Sequence, residues 1–194
     1  MAKWVSPILT DIRNKLGNSV IFSNWKGRAY FRKYARPANP RTNKQIAQRE
    51  TFKKLVKRFQ EIEVNASEKE AWDNKATPYM MSGFNLFMSR GRKSYIEASS
   101  DTANVNGSVT ITYSIGFPVD EATIVIYKDG SYYGEQQIST ASGSFTYTFS
   151  EAGTYEFWIA EKDIQDPNGH PSRITKWKPD PNIPGAKECK VTVS

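Results

Sequence analysis

Five carboxylates crowd one stretch of the chain: Glu61, Glu63, Glu68, Glu70 and Asp73. Paired acids hydrolyse glycosides when they flank the scissile bond. These five fall at the end of one predicted helix and the start of the next, where acids complement helix N-termini and neighbouring lysines, and the structural role is the stronger reading. Asp163, Asp166, Asp180 and Asn182 offer oxygens of the kind calcium takes, at spacings that match no known loop. The single His170 and single Cys189 leave no material for a zinc site or a nucleophile-base set. Cys189 sits in the alternating run Cys189-Lys190-Val191-Thr192-Val193 and reads as an inward-facing strand residue, while His170, in Pro167-Asn168-Gly169-His170-Pro171, reads as a surface loop residue. Gly83, Gly91, Gly107 and Gly130 form no strand-linked phosphate loop. The expectation is a protein without catalytic residues, metal or cofactor.

Binding chemistry is better represented. Rings and cations interleave through Trp25, Lys26, Arg28, Tyr30, Arg32, Lys33, Tyr34 and Arg36, and a two-stranded ribbon would let one face offer cations to phosphates while the other packs or stacks its rings. The alternatives are rings in a core with solvated cations, or cations against acidic patches of a protein partner. Lys44, Arg49, Lys53, Lys54, Lys57 and Arg58 give a predicted helix a basic face, with Arg41 just before it. The expected assembly or polyanion contacts are therefore Trp25, Lys26, Arg28, Tyr30, Arg32, Lys33, Arg36, Arg41, Arg49, Lys53 and Lys57. Tyr132 and Tyr133, just past the Asp129-Gly130 turn, join Trp158 and Trp177 as expected outward contacts for a partner or glycan.

The charge is uneven along the 194 residues: 1 to 95 hold 20 Lys+Arg and 7 Asp+Glu, a net +13, and 96 to 194 hold 7 and 13, a net −6. Such asymmetry suggests two parts with different partners, or opposite halves of neighbouring copies that attract one another. Composition is that of a folding chain, with 38% hydrophobic and 13% aromatic residues. Nothing approaches the roughly 20 apolar residues of a membrane span, and Met1 to Pro7 lacks the apolar core of a signal peptide. Synthesis in a bacterial cytoplasm without a signal peptide is expected.

The elements that must position these groups change character near residue 95. Asp11 to Asn18 reads as a helical turn closed by Gly17, and Ser19 to Ala35 as a β-hairpin about Lys26-Gly27. Arg36-Pro37-Ala38-Asn39-Pro40-Arg41 is an extended connector. Thr42-Asn43-Lys44-Gln45 is a capping box opening a helix to about Val64, with an apolar stripe of Ile46, Phe52, Leu55, Val56, Phe59 and Ile62. Ser67-Glu68-Lys69-Glu70 opens a second helix to about Ala76, ended by Pro78, and a third spans about Gly83 to Lys93. Beyond Tyr95, runs at 108–113, 123–127, 144–149, 154–159 and 187–193 alternate between Gly-containing turns. Their spacing predicts an antiparallel immunoglobulin-like sandwich, with Gly153-Thr154-Tyr155-Glu156-Phe157 as a tyrosine corner. Residues 165–186, with five prolines, read as a long irregular excursion. The predicted class is α+β with two domains: a basic hairpin and three helices over 1–95, and the sandwich over 96–194.

Ser6-Pro7-Ile8-Leu9 with Gly17, the hairpin, Asn39-Pro40-Arg41-Thr42 followed by Gln45, Gln48 and Arg49, Ser67-Glu68 to Trp72, and Ser82-Gly83-Phe84-Asn85-Leu86-Phe87 carry a resemblance. Over roughly residues 5 to 95 the chain resembles a family of small, mostly uncharacterised phage and prophage proteins, many lying near virion genes. The sandwich is similar to the immunoglobulin-like modules that phages append to capsid and tail proteins. The resemblance implies a virion-associated assembly role and no catalytic residues, and the lysine-rich first helix departs from it. The function expected is a non-enzymatic structural protein of a phage particle (capsid, decoration or tail) or related filament. It would act as a homo-oligomer or within a large assembly, docked through its basic half with the sandwich displayed. The alternatives are non-specific nucleic-acid binding through that half, with DNA contact, and a glycan-binding adhesive module.

Overall fold

The computed structural model describes residues 14–16, 20–25, 28–35, 41–180 and 185–194. The chain forms two compact units, residues 1–40 and 41–194. The first unit contains a three-stranded antiparallel sheet of β1 (Asn14–Leu16), β2 (Val20–Trp25) and β3 (Arg28–Lys33), in that order. Asn14–Leu16 is therefore strand where a helical turn was expected: its residues pair with Val20–Phe22 and extend the β2–β3 hairpin. The connector at 36–40, Lys26 and Arg36 lie outside the described residues.

The second unit opens with α1 (Asn43–Glu63), whose first turn is held by Thr42 Oγ1 accepting from the Gln45 amide at 3.4 Å. In α2 (Ala66–Ala76) the expected Ser67 cap is not used; the cap falls two residues earlier, at Asn65, which makes no side-chain cap bond. Ser82 Oγ caps α3 (Gly83–Lys93) by accepting from the Asn85 amide at 3.3 Å. Gly83 permits α3 to start hard against α2, since a Cβ there would lie 2.8 Å from the Asp73 backbone nitrogen. The Asp73 carboxylate accepts from the Gly83 amide at 2.9 Å, and this bond, with Lys69 beside it, holds the Asp73 carboxyl below its ordinary value.

Among the described residues eleven strands follow: β4 (Tyr95–Ala98), β5 (Thr102–Ala103), β6 (Ser108–Ser114), β7 (Ala122–Lys128), β8 (Ser131–Gln136), β9 (Ser142–Thr148), β10 (Gly153–Gln165), β11 (Pro171–Thr175), β12 (Trp177–Asp180), β13 (Gly185–Glu188) and β14 (Lys190–Val193). One sheet has the order β4-β6-β9; the other runs β5-β14-β10-β7-β8, with β11 added to β10. This is an immunoglobulin-like sandwich. Asp129 and Gly130, with φ of 50° and 84°, make the β7–β8 turn, both in the left-handed region that a tight right-twisted hairpin demands. Between the sheets pack Ile96, Ile111, Ile124, Ile126, Phe149, Tyr155, Phe157, Ile159 and Val191, with Cys189 fully buried among them. Burial pushes the Cys189 thiol up to about 12.

The Tyr155 hydroxyl donates to the Glu151 carbonyl at 3.1 Å, closing the predicted tyrosine corner. Tyr155→Phe should cost about 1 kcal/mol, the net worth of one such bond. The check is a lower urea midpoint at unchanged slope.

The outer face of the larger sheet is also buried. Val125, Tyr127, Trp158 and Ala160 form a second core with Leu55, Phe59 and Ile62 of α1, Trp72 and Ala76 of α2, and Leu86, Phe87 and Met88 of α3. Rings of Phe59, Phe84, Phe87 and Trp72 meet at centroid distances of 5.2 to 5.3 Å. The expected boundary at residue 95 thus falls inside one compact unit, because the helices cannot bury their apolar faces without the sheet. Nor are 171–180 irregular: β11 returns along β10, and β12 pairs with β13, both against α1. The stripe of α1 is rotated from the prediction. Ala47, Thr51, Leu55, Arg58, Phe59 and Ile62 are buried, and Phe52 is exposed.

Candidate interaction surfaces

The charge asymmetry is satisfied within the chain. Residues 1–40 contain 8 Lys+Arg and 1 Asp+Glu, whereas 41–194 contain 19 of each, so the whole net +7 belongs to the first unit. The ion pairs explain how basic helices and acidic sandwich cancel. Lys75 of α2 sets its ammonium 2.7 Å from Glu161, 2.6 Å from Asp163 and 3.2 Å from Glu121. Arg90 of α3 reaches Glu121 at 2.6 Å and pairs directly with Glu161 through Nη1 and Oε2, both buried. Those three carboxylates converge as metal ligands would, but their common cation is Lys75.

Of the other candidate acids, Glu61, Glu68, Asp73 and Asp166 are engaged similarly. Glu68, almost wholly buried, accepts from Ser172 Oγ at 2.5 Å, and Ser172 in turn accepts from the Trp72 indole at 3.1 Å. Burial raises the Glu68 carboxyl above its ordinary value against the pull of Ser172 and Arg58. Glu61 takes Arg58 at 3.0 Å, and Lys69 pairs with Asp73 at 3.1 Å. Of the proposed calcium set, Asp166 instead accepts from the amides of Asn168 and His170, shaping their turn. Asn182 and the Asp180 side chain lie outside the described residues.

Glu188 binds α1 to the β12–β13 hairpin: Lys54 reaches it at 3.0 Å, the Trp177 indole at 3.1 Å and Lys176 at 3.3 Å. Burial would raise its carboxyl, but the hydrogen bonds from Lys54 and Trp177 and the Lys176 charge prevail and hold it at about 2 against an ordinary 4.5. A group whose folded value is depressed contributes stability in full above the unfolded value, and that contribution fades as pH falls from about 4.5 toward 2. Solvent screening limits it to about 1 kcal/mol. Glu188→Gln should therefore narrow the stability difference between pH 5 and pH 3, measured by urea unfolding at both.

The expected contacts divide by burial. Of the basic helix face, Lys44, Arg49, Lys53 and Lys57 are exposed, as is Arg41, while Lys54 is half-buried and Arg58 is 7% exposed. Arg49, Lys53 and Lys57 fall at four-residue spacing along one line of α1. On the ribbon, Phe22 pairs with Phe31, Ser23 with Tyr30, Ile21 with Arg32 and Val20 with Lys33. Directly paired residues share a face, so Phe31 and Lys33 lie on one and Tyr30 and Arg32 on the other. The expected segregation of cations from rings is absent: strand alternation puts both kinds on each face. Phe31 is 75% and Tyr30 43% exposed. Trp25 and Arg28 pair at the ribbon's end.

Two expected outward contacts are not outward. Trp158 and Trp177 are both 6% exposed, their rings edge to face at 5.4 Å beneath the helices. Strand β7 carries the missed signal, since Ala122 to Tyr127 is buried at every position. Such a nearly continuous apolar run, broken by Thr123 alone, marks a strand covered on both faces, and β10 is its neighbour. Tyr132 is half-buried, stacked on the equally half-buried His170 at 4.0 Å and 11°, while Tyr133 remains exposed.

A cleft of about 300 Å³ opens where α1 crosses β10, β11 and β12, lined by Lys54, Lys57, Arg58, Glu61, Trp158, Arg173, Lys176 and Trp177. Lys176 lies 4.8 Å and Arg173 5.4 Å from the Trp158 ring. Arg173 and Lys176, in the proline-rich stretch, were missed because only the return of β11 brings them to α1.

No protein-family model and no curated protein matches the chain. Two solved structures bear a distant likeness: the solution NMR structure of the CARDB domain of a Pyrococcus furiosus protein, 16% identical, covering 52% of this chain and 92% of that one at a TM-score of 0.26; and the crystal structure of that domain in complex with di-metal ions, 14% identical, covering 53% and 86% at 0.29. A likeness this distant assigns neither family nor function. Among the described residues no helix is long and apolar enough to cross a membrane.

Proposed function

We propose that the protein is a non-enzymatic structural subunit of a phage particle or related filament, docked through residues 1–40 and displaying the helix-backed sandwich. One observation carries this reading: the entire net charge of +7 sits in residues 1–40, whose ribbon exposes Phe31 and Tyr30, while residues 41–194 are neutral. Exposed rings on a strand ribbon offer a neighbouring chain an apolar surface, and its edge strands offer backbone for pairing. The body, by contrast, has two packed cores of its own. The experiment is to compare assembly of the full chain with that of Arg41–Ser194.

Non-specific nucleic-acid binding is the second reading, favoured by the exposed line Arg49, Lys53 and Lys57. A glycan surface built on Trp158 and Trp177 loses its support because both are covered.

A further inference from the structure

The cleft beside α1 differs from the ion-paired networks around it. Lys54 and Lys176 share Glu188, Lys176 also takes Glu156 at 2.9 Å, and Arg58 is held by Glu61. Lys57 and Arg173 have no carboxylate within ion-pair distance among the described residues. Arg173 lies over the Tyr127 ring at 4.3 Å, and its Nε is buried without a hydrogen-bond partner. The Arg173 carbonyl accepts from Arg58 Nε at 3.3 Å, tying the two guanidinium-bearing residues across the cleft. Lys57 and Arg173, neither in an ion pair among the described residues, thus line one cleft with Trp158 and Trp177, in a volume at the lower end of that of ligand pockets.

We infer that this cleft binds a phosphate-type oxyanion, with Lys57 and Arg173 as its charged contacts and Trp158 and Trp177 as its floor. A planar guanidinium offers paired donors to such an anion, and a flexible lysine adds a point charge. The volume accommodates the anion together with part of the group that carries it. The site is independent of the ribbon proposed for docking.

The test is titration of the ¹⁵N-labelled full chain with inorganic phosphate at constant ionic strength, following the indole resonances of Trp158 and Trp177. Saturable shifts are expected, absent when chloride replaces phosphate. Lys57→Ala should weaken binding roughly tenfold, the effect of losing one charge-assisted contact. Arg173→Gln should weaken it at least as much, with its circular dichroism melt recorded alongside. Lys57, being exposed, keeps the test valid if the Arg173 variant fails to fold. An oligothymidylate added to the phosphate-bound protein then separates two sources of the same chemistry. Displacement of phosphate assigns a nucleic-acid backbone, and retention assigns a free or monoester phosphate; both support the site. Non-saturable shifts, an equal response to chloride, or unchanged affinity in Lys57→Ala would overturn it.

Discussion

Glu161→Ala should destabilise the body by about 3 to 5 kcal/mol, the cost of leaving a buried charge without its partner. Glu161 is completely buried and Arg90 3% exposed, so water cannot replace what the carboxylate supplies. Arg90 would retain Glu121, but its Nη1 would lose the Glu161 carboxylate and Lys75 would lose one of three, leaving the buried guanidinium only partly matched. For a domain of this length each kcal/mol moves the melting temperature by about 2 to 4 °C, giving a fall of roughly 6 to 20 °C. Calorimetry reads it directly. The paired replacement Arg90→Met with Glu161→Met should lose less than Glu161→Ala alone, because removing both charges abolishes the desolvation cost as well as the attraction. A loss under about 1 kcal/mol for Glu161→Ala would mean that the network is solvated rather than structural.

Removal of residues 1–40 should have the opposite signature: little change in stability and complete loss of assembly. Among the described residues both hydrophobic cores lie beyond Arg41, so the body should retain its packing when the first unit is absent. The formal charge of the chain falls from +7 to 0, because the deleted residues hold 8 basic and 1 acidic side chains. The exposed Phe31 and Tyr30 are removed at the same time. The melting temperature of Arg41–Ser194 should match that of the full chain within a few degrees. Association driven by charge and by the ribbon should disappear together.

These contrasts show where sequence was informative and where it was silent. The helices α1 and α3 were legible to within a residue because local chemistry sets their starts: Thr42 and Ser82 each accept an amide three residues on. The tyrosine corner and the Asp129-Gly130 turn were legible for the same reason, since both are bonds or dihedrals between near neighbours. Trp158 was misplaced because alternation assumes one wet face, whereas three helices cover that face. Arg58 was assigned to a solvated face by its type, but α2 and β11 bring Glu68 and the Arg173 carbonyl to it. The charge asymmetry was visible; that it would close within one chain was not, because Lys75 and Glu161 are joined only by the packing of α2 on β10. The cleft was illegible in the same way, being assembled from α1 and a stretch more than a hundred residues later.

Light scattering after size-exclusion chromatography, with negative-stain imaging, of the full chain and Arg41–Ser194 at low and high salt, with and without duplex DNA, tests the central claim most directly. The account predicts ordered oligomers or filaments of the full chain without DNA, and a monomeric, folded Arg41–Ser194. Assembly that survives the deletion, or a full-length monomer that changes size only when DNA is added, would contradict it.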